Sequence, residues 1–223
     1  MQGKVIVVTG ASGALGGALV DAALAKGARV AAINRSPGPA RADVLGFGGV
    51  DLSDAAQAQA AFAGVRAAAG RIDALLNIAG GFAWSTLADS DGELWRRMQR
   101  INLDTAANSC RAAAPHLIAV GGAIVNVGAL SALQAGAGMG AYAASKAGVH
   151  KLTESLAAEL RGKVRVNAVL PSIIDTPQNR KDMPGADPSK WVAPADLANV
   201  MLFLASSQAR AITGALVPVT GEL

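Results

Sequence analysis

The stretch Lys4-Val5-Ile6-Val7-Val8-Thr9-Gly10-Ala11-Ser12-Gly13-Ala14-Leu15-Gly16 decides how this chain folds. Lys4 to Thr9 is a continuous apolar run with the character of a buried strand. Leu15 to Lys26 is alanine-rich and reads as a helix. Between them, glycines at 10, 13 and 16 permit a tight turn and close backbone approach to a diphosphate. The helix behind the turn offers free N–H groups and the positive end of its dipole, with Ser12, Ala14 and Leu15 beside the glycines.

The same alternation continues outward. Strands are expected at Ala28 to Asn34, Val44 to Asp51, Ala74 to Asn77, Ala123 to Val127, Lys163 to Leu170 and Ala215 to Val219. Helices are expected at Ser53 to Ala69, begun by Ser53 or Asp54, at Glu93 to Val120, Ala141 to Leu160 and Pro194 to Ala205. Pro115 should end or kink the long third helix. Apolar strands separated by helices predict a parallel sheet covered on both faces, a doubly wound α/β domain. No repeat or linker divides residues 1–223, so one domain is expected. The polar, proline-rich stretch from Thr176 to Ala193 suggests a mobile active-site lid over residues 176–193.

Composition narrows the function. The net charge of +4 has no lysine or arginine cluster behind it, and aromatic residues for base stacking are scarce, which argues against nucleic acid. No apolar run reaches the ~20 residues that span a bilayer. Met1-Gln2-Gly3-Lys4 leads directly into the first strand without a signal-peptide pattern. Cys110 is the only cysteine, so an internal disulfide is impossible and a cytoplasmic location is expected. No His, Cys or carboxylate cluster has metal spacing, so no metal is expected.

The second strand ends in Asn34-Arg35. In dinucleotide sites a carboxylate at that strand end grips the ribose 2′-hydroxyl, whereas an arginine accepts a 2′-phosphate. The carboxylate is absent here, so NADP(H) is expected to be preferred over NAD(H). Asp51, followed by Leu52, ends the third strand and is placed to meet the adenine or, alternatively, to cap the next helix.

Further along, the only tyrosine, Tyr142, precedes Lys146 by four residues. On a helix these positions share a face. A phenol ordinarily loses its proton near pH 10. A neighbouring ammonium lowers that value and suits the phenol to proton transfer.

Taken together, these residues resemble the short-chain dehydrogenase/reductase family along essentially the whole chain. The resemblance rests on Thr9 through Gly16, Asn77-Ile78-Ala79-Gly80, Asn102, Tyr142 with Lys146, and Leu170-Pro171-Ser172-Ile173-Ile174-Asp175-Thr176. It implies a Rossmann domain and hydride transfer, with Tyr142 as proton donor and Lys146 holding the nicotinamide ribose. It also implies that Asn102 kinks its helix and fixes a water toward Lys146. Asn77, Ala79, Gly80, Pro171, Ile174 and Thr176 would contribute to cofactor binding, with Thr176 at the nicotinamide end.

One departure stands out. The family serine precedes the tyrosine by thirteen residues, and that position is Ala129. Losing such a donor costs about 3 kcal/mol of transition-state stabilisation. Ser131 lies two residues on, ~6–7 Å away along an extended strand, and is not expected to substitute directly. The departure is similar to a subgroup, the quinonoid dihydropteridine reductases, through Gly128-Ala129, Gly138-Met139, Asp175 to Pro184 and Trp191. Those enzymes favour NADH and carry an acidic residue where this chain has Asn34.

The expected activity is therefore NADP(H)-dependent hydride transfer to a small carbonyl-like or planar substrate, held among Phe82, Trp84, Ala129, Met139 and Trp191. Quinonoid dihydropteridine reduction is one alternative. A non-catalytic NADP(H)-binding sensor or scaffold is another, and oxidation of a secondary alcohol at alkaline pH a third. His150, one turn past Lys146, is expected at a surface or an interface. The long helices suggest a homodimer or homotetramer.

Overall fold

The computed structural model describes residues 1–36 and 41–222. A seven-stranded parallel sheet runs through it: β1 (Val5–Thr9), β2 (Arg29–Ile33), β3 (Val44–Phe47), β4 (Ala74–Asn77), β5 (Ala123–Val127), β6 (Arg165–Pro171) and β7 (Leu216–Val219). Their spatial order is β3-β2-β1-β4-β5-β6-β7. The order reverses between β1 and β4, and in such sheets the crevice at the carboxyl ends there receives the ligand. Thr9 at the end of β1 pairs with Ile33 of β2 on one side and Asn77 of β4 on the other.

Strand periodicity builds the two cores. Ile6 and Val8 face one side of the sheet, packing with Leu15 and Leu19 of α1 (Ala14–Ala25) and with Leu197 and Met201 of α7 (Pro194–Ala205). Val5 and Val7 face the other side with Phe62 of α2 (Ala55–Ala69), Leu117 of α4 (Thr105–Ile118) and Ala157 of α5 (Gly140–Glu159). Successive side chains of a strand alternate between faces, so an apolar run without polar interruption belongs to a sheet buried on both. Each fully buried leucine or phenylalanine contributes roughly 1.5–3 kcal/mol.

Several local expectations are revised. The third strand stops at Phe47 rather than Asp51. Asp54, not Ser53, caps α2, its carboxylate accepting from the Ala56 and Gln57 N–H groups. The single helix expected over residues 93–120 is α3 (Gly92–Met98), a π-helical stretch (Gln99–Asp104) and α4. The break falls at Asn102, upstream of Pro115, and the helix continues through Pro115 to Ile118. The expected lid carries structure of its own: α6 (Pro177–Asp182), capped by Thr176, and a 3₁₀ turn at Pro188–Lys190. Its far end is tied back, since Val192 N–H donates to Ile173 O and Asp175 N–H to Val192 O. Among the described residues, no helix is long and apolar enough to cross a membrane.

Candidate active site

The glycine turn between β1 and α1 is shaped by crowding. Gly10 has φ +68°, and a Cβ there would lie 2.9 Å from Ala79 Cα. A Cβ on Gly16 would overlap the Gly10 carbonyl oxygen, so only glycine lets α1 start this close to the turn. Gly13 differs, because a Cβ there would meet nothing of the protein nearer than Gly10 O at 3.5 Å. The chain's own packing does not require that glycine, yet Gly13 lines the cavity over the sheet and no side chain caps α1 behind it. An uncapped helix start behind a wall without side chains fits the diphosphate of a dinucleotide.

That cavity, about 1560 Å³, runs from the turn across the carboxyl ends of the strands. It brings together Gly10, Ser12, Gly13, Ala14, Leu15 and Gly16 with Asn34, Arg35, Asp51 and Leu52 at one end. Ala79, Gly80, Pro171, Ile174, Thr176, Tyr142 and Lys146 line it further along, as do Phe82, Trp84 and Met139. Asn34 is not free to act as a stand-in carboxylate, because its Oδ1 accepts from the Ser12 N–H at 2.9 Å. Arg35 is exposed on the wall beside it. The Asp51 carboxylate accepts from the Ser53 hydroxyl and N–H. The Ser53 hydroxyl holds it below the ordinary carboxylate range against the effect of burial, and the charges of Arg35 and Arg100 add to this.

Four expected site residues do not line the cavity. Asn77 lies under its floor in a buried polar chain crossing the sheet. The Asn77 amide donates to Asn126 Oδ1 at 2.9 Å, and the Asn126 amide to Thr153 Oγ1 at 2.9 Å. Buried amides require such partners, and the chain ties β4 and β5 to α5. Asn102 sits behind Gly80 and Gly81, donating to Gly81 O and Ser145 Oγ and accepting from the Gly81 N–H, all at 3.0 Å. Its amide braces the wall rather than facing the cavity, and the π-helical stretch is the backbone distortion that brings it there. Ala129 is 3% exposed, and Trp191, which follows the 3₁₀ turn Pro188–Lys190, is 6% exposed.

Tyr142 and Lys146 share α5 as the spacing predicts, but the electrostatics differ from the expectation. Lys146 Nζ donates to Val127 O at 2.7 Å. Burial brings its pKa down to about 8. Burial likewise pushes the Tyr142 phenol up to about 12, the reverse of the lowering that the pair's spacing suggested. The Phe82 ring packs edge-on against Tyr142 with centroids 4.9 Å apart. His150 is not at a surface. It is 3% exposed, and its Nε2 accepts from the Ala129 N–H at 3.3 Å.

Residues given no place in the expected site also line it, Ser131 among them although it was not expected to stand in for the family serine. Ser36 adjoins Arg35, and Leu130, Ser131, Leu133 and Gln134 follow β5. Gln178, Asn179 and Met183 reach it from the segment 176–193. These three carry no sequence signal beyond following Thr176, whose Oγ1 accepts the Asn179 N–H and so starts the segment as a helix.

Comparison with known proteins agrees with this geometry. The family model described as short chain dehydrogenase matches residues 4–186. D-threitol dehydrogenase of Mycolicibacterium smegmatis is 36% identical, with 99% of this chain and 93% of that protein covered. L-rhamnose 1-dehydrogenase (NAD(P)(+)) of a Sphingomonas strain is 34% identical, covering 100% and 97%. The ligand-free structure of Thermoplasma acidophilum aldohexose dehydrogenase superposes with a TM-score of 0.90 at 29% identity, over 100% of this chain and 94% of that one. The chain belongs to the short-chain dehydrogenase/reductase family and is an oxidoreductase of that family, whose members use NAD(P)(H).

Proposed function

We infer that this enzyme interconverts a secondary alcohol and its carbonyl compound with NADP(H), Tyr142 moving the proton. The observation that carries the reading is the continuity of one cavity from the glycine turn and Arg35 to Tyr142 and Lys146. Gly10 to Gly16 would hold the diphosphate, Arg35 with Ser36 the 2′-phosphate, and Asp51 with Leu52 the adenine end. Lys146 would hold the nicotinamide ribose, and Ala79, Gly80, Pro171, Ile174 and Thr176 the approach to the ring. A bound reduced nicotinamide supplies the electron pair and hydrogen of the new C–H bond. As the C=O π bond opens, Tyr142 Oη gives its proton to the oxygen and is reprotonated from solvent. Oxidation reverses the path and needs the phenolate.

The alcohol-to-carbonyl class is supported by the names of the relatives, which include sugar and polyol dehydrogenases. Phe82 and Trp84, 57% and 60% exposed at the cavity, favour a substrate with a flat or apolar flank. We take the assembly to be a homodimer or homotetramer paired through α4 and α5, which sedimentation velocity would test.

The test is oxidation of NADPH and NADH by a panel of carbonyl acceptors, including isatin and freshly generated quinonoid dihydropterin, with Tyr142→Phe as control. Turnover with NADPH on a carbonyl, lost in the control, is the expected result. Turnover confined to the dihydropterin would substitute the pteridine reductase reading. NADPH binding without turnover on any acceptor would leave the sensor reading, which Ala129 favours. Faster turnover with NADH would overturn the role given to Arg35.

A further inference from the structure

Ala129 stands where the family places the hydroxyl that holds the substrate oxygen, so the chain lacks that hydrogen bond or draws it from another group. The backbone around this position is held firmly. The Ala129 N–H donates to His150 Nε2, and a Cβ on Gly128 would collide with the same imidazole. From Ala129, at φ −159° and ψ 143°, the chain leaves the extended form. The Ala132 N–H donates to Ala129 O at 3.1 Å and the Leu133 N–H to Leu130 O at 3.0 Å, closing a 3₁₀ turn at Leu130–Ala132. The ~6–7 Å advance of two extended residues does not apply here. The turn packs against α5, the helix of Tyr142, and puts Ser131 on the cavity wall that Tyr142 also lines.

The other hydroxyls of that wall are engaged or belong to the far end. Thr105 Oγ1 donates to Arg100 O at 3.1 Å and Ser172 Oγ to Thr220 O at 2.7 Å. Thr176 Oγ1 caps α6. Ser12 and Ser36 flank the glycine turn and the end of β2. Ser131 is half-buried, and its hydroxyl makes no hydrogen bond with the described residues.

We propose that Ser131 takes the place of the absent family serine, its Oγ–H donating a hydrogen bond to the substrate oxygen while Tyr142 moves the proton. Ser131 keeps its own proton throughout. The assignment rests on the alcohol–carbonyl reading above. It is tested with the full chain, isatin as acceptor and NADPH, comparing wild type, Ser131→Ala and Ser131→Thr. Isatin binding to the NADP⁺-saturated protein is followed alongside by calorimetry.

Removing one such donor is expected to lower kcat/KM by ~10²-fold. Ser131→Ala should also weaken isatin binding while leaving NADP⁺ affinity unchanged, and Ser131→Thr should restore most of both. Wild-type turnover matched by Ser131→Ala, or isatin binding indifferent to the substitution, would overturn the Ser131 assignment and leave the alcohol–carbonyl reading standing. A wild type that holds NADP⁺ but reduces neither isatin nor any other carbonyl of the panel would overturn both.

Discussion

Lys146 and Tyr142 show how burial sets the chemistry of single residues. Desolvation disfavours the charged form of each, so the lysine moves down to about 8 and the phenol up to about 12. For Lys146 the folded value lies below the ordinary 10.5, so the folded state binds fewer protons than the unfolded state between those values. Stability of the free enzyme therefore rises with pH from about 8. Tyr142 acts oppositely above its ordinary value of 10.0, where the folded state retains a proton that the unfolded state loses. Thermal melts of wild type should show a gain between about pH 8 and 10 that Lys146→Met lacks. His150 is lowered from 6.5 by burial first and by Lys146 and Lys151 next, against Glu154. Stability is thus expected to fall as the pH drops below about 6.5, and His150→Gln should remove that loss. With the phenol raised so far, alcohol oxidation should climb steadily through the alkaline range, whereas carbonyl reduction should stay level near neutrality.

At the scale of elements, the glycine turn and the broken helix behave differently as signals. The turn was legible because its glycines answer a local steric demand, and Gly16→Ala should be severe. Its Cβ would meet backbone atoms of Gly10 and Ala11 that cannot rotate away. We expect loss of NADPH binding in titration calorimetry together with a lowered Tm. The kink at Asn102 was implied by the family resemblance and not by the residues themselves, because residues 93–120 have helical character throughout and the bulge is fixed by Asn102 reaching Gly81 and Ser145. On α4, Ser109 is fully buried and its hydroxyl lacks a partner among the described residues. An unsatisfied buried hydroxyl is unfavourable, so Ser109→Ala should raise stability by about 1 kcal/mol in urea unfolding, with activity unchanged.

Across the molecule, Asp73 fastens the amino ends of two central strands. Its carboxylate accepts from the Val5 N–H at 2.9 Å, from Lys4 Nζ at 3.0 Å and from Arg71 in two-pronged contact. Burial raises its pKa, but Arg71, the Val5 N–H and Lys4 together outweigh this and hold it below the usual range. The stabilisation is present above the ordinary carboxylate value and lost as pH falls through the folded one. Acid unfolding below about pH 4 should move to higher pH in Asp73→Asn, which also loses stability at neutral pH. The opposite, carboxyl edge of the sheet carries the cavity, so this clip lies away from the chemistry and its loss should leave KM unchanged in the folded fraction.

The sequence by itself determined the architecture and the glycine turn, since strand and helix periodicity and the steric needs of a tight turn are local properties. It also located Tyr142 and Lys146 on one helix face, because that relation depends only on helical geometry. Tertiary structure alone decided which way the electrostatics run, because desolvation depends on what surrounds a group. It decided that Asn77 and Asn102 brace the site from behind, that Trp191 is buried, and that His150 lies inside. It decided too that the chain turning after Ala129 brings Ser131 to the wall, since the anchor of the Ala129 N–H on His150 joins residues that no local pattern connects.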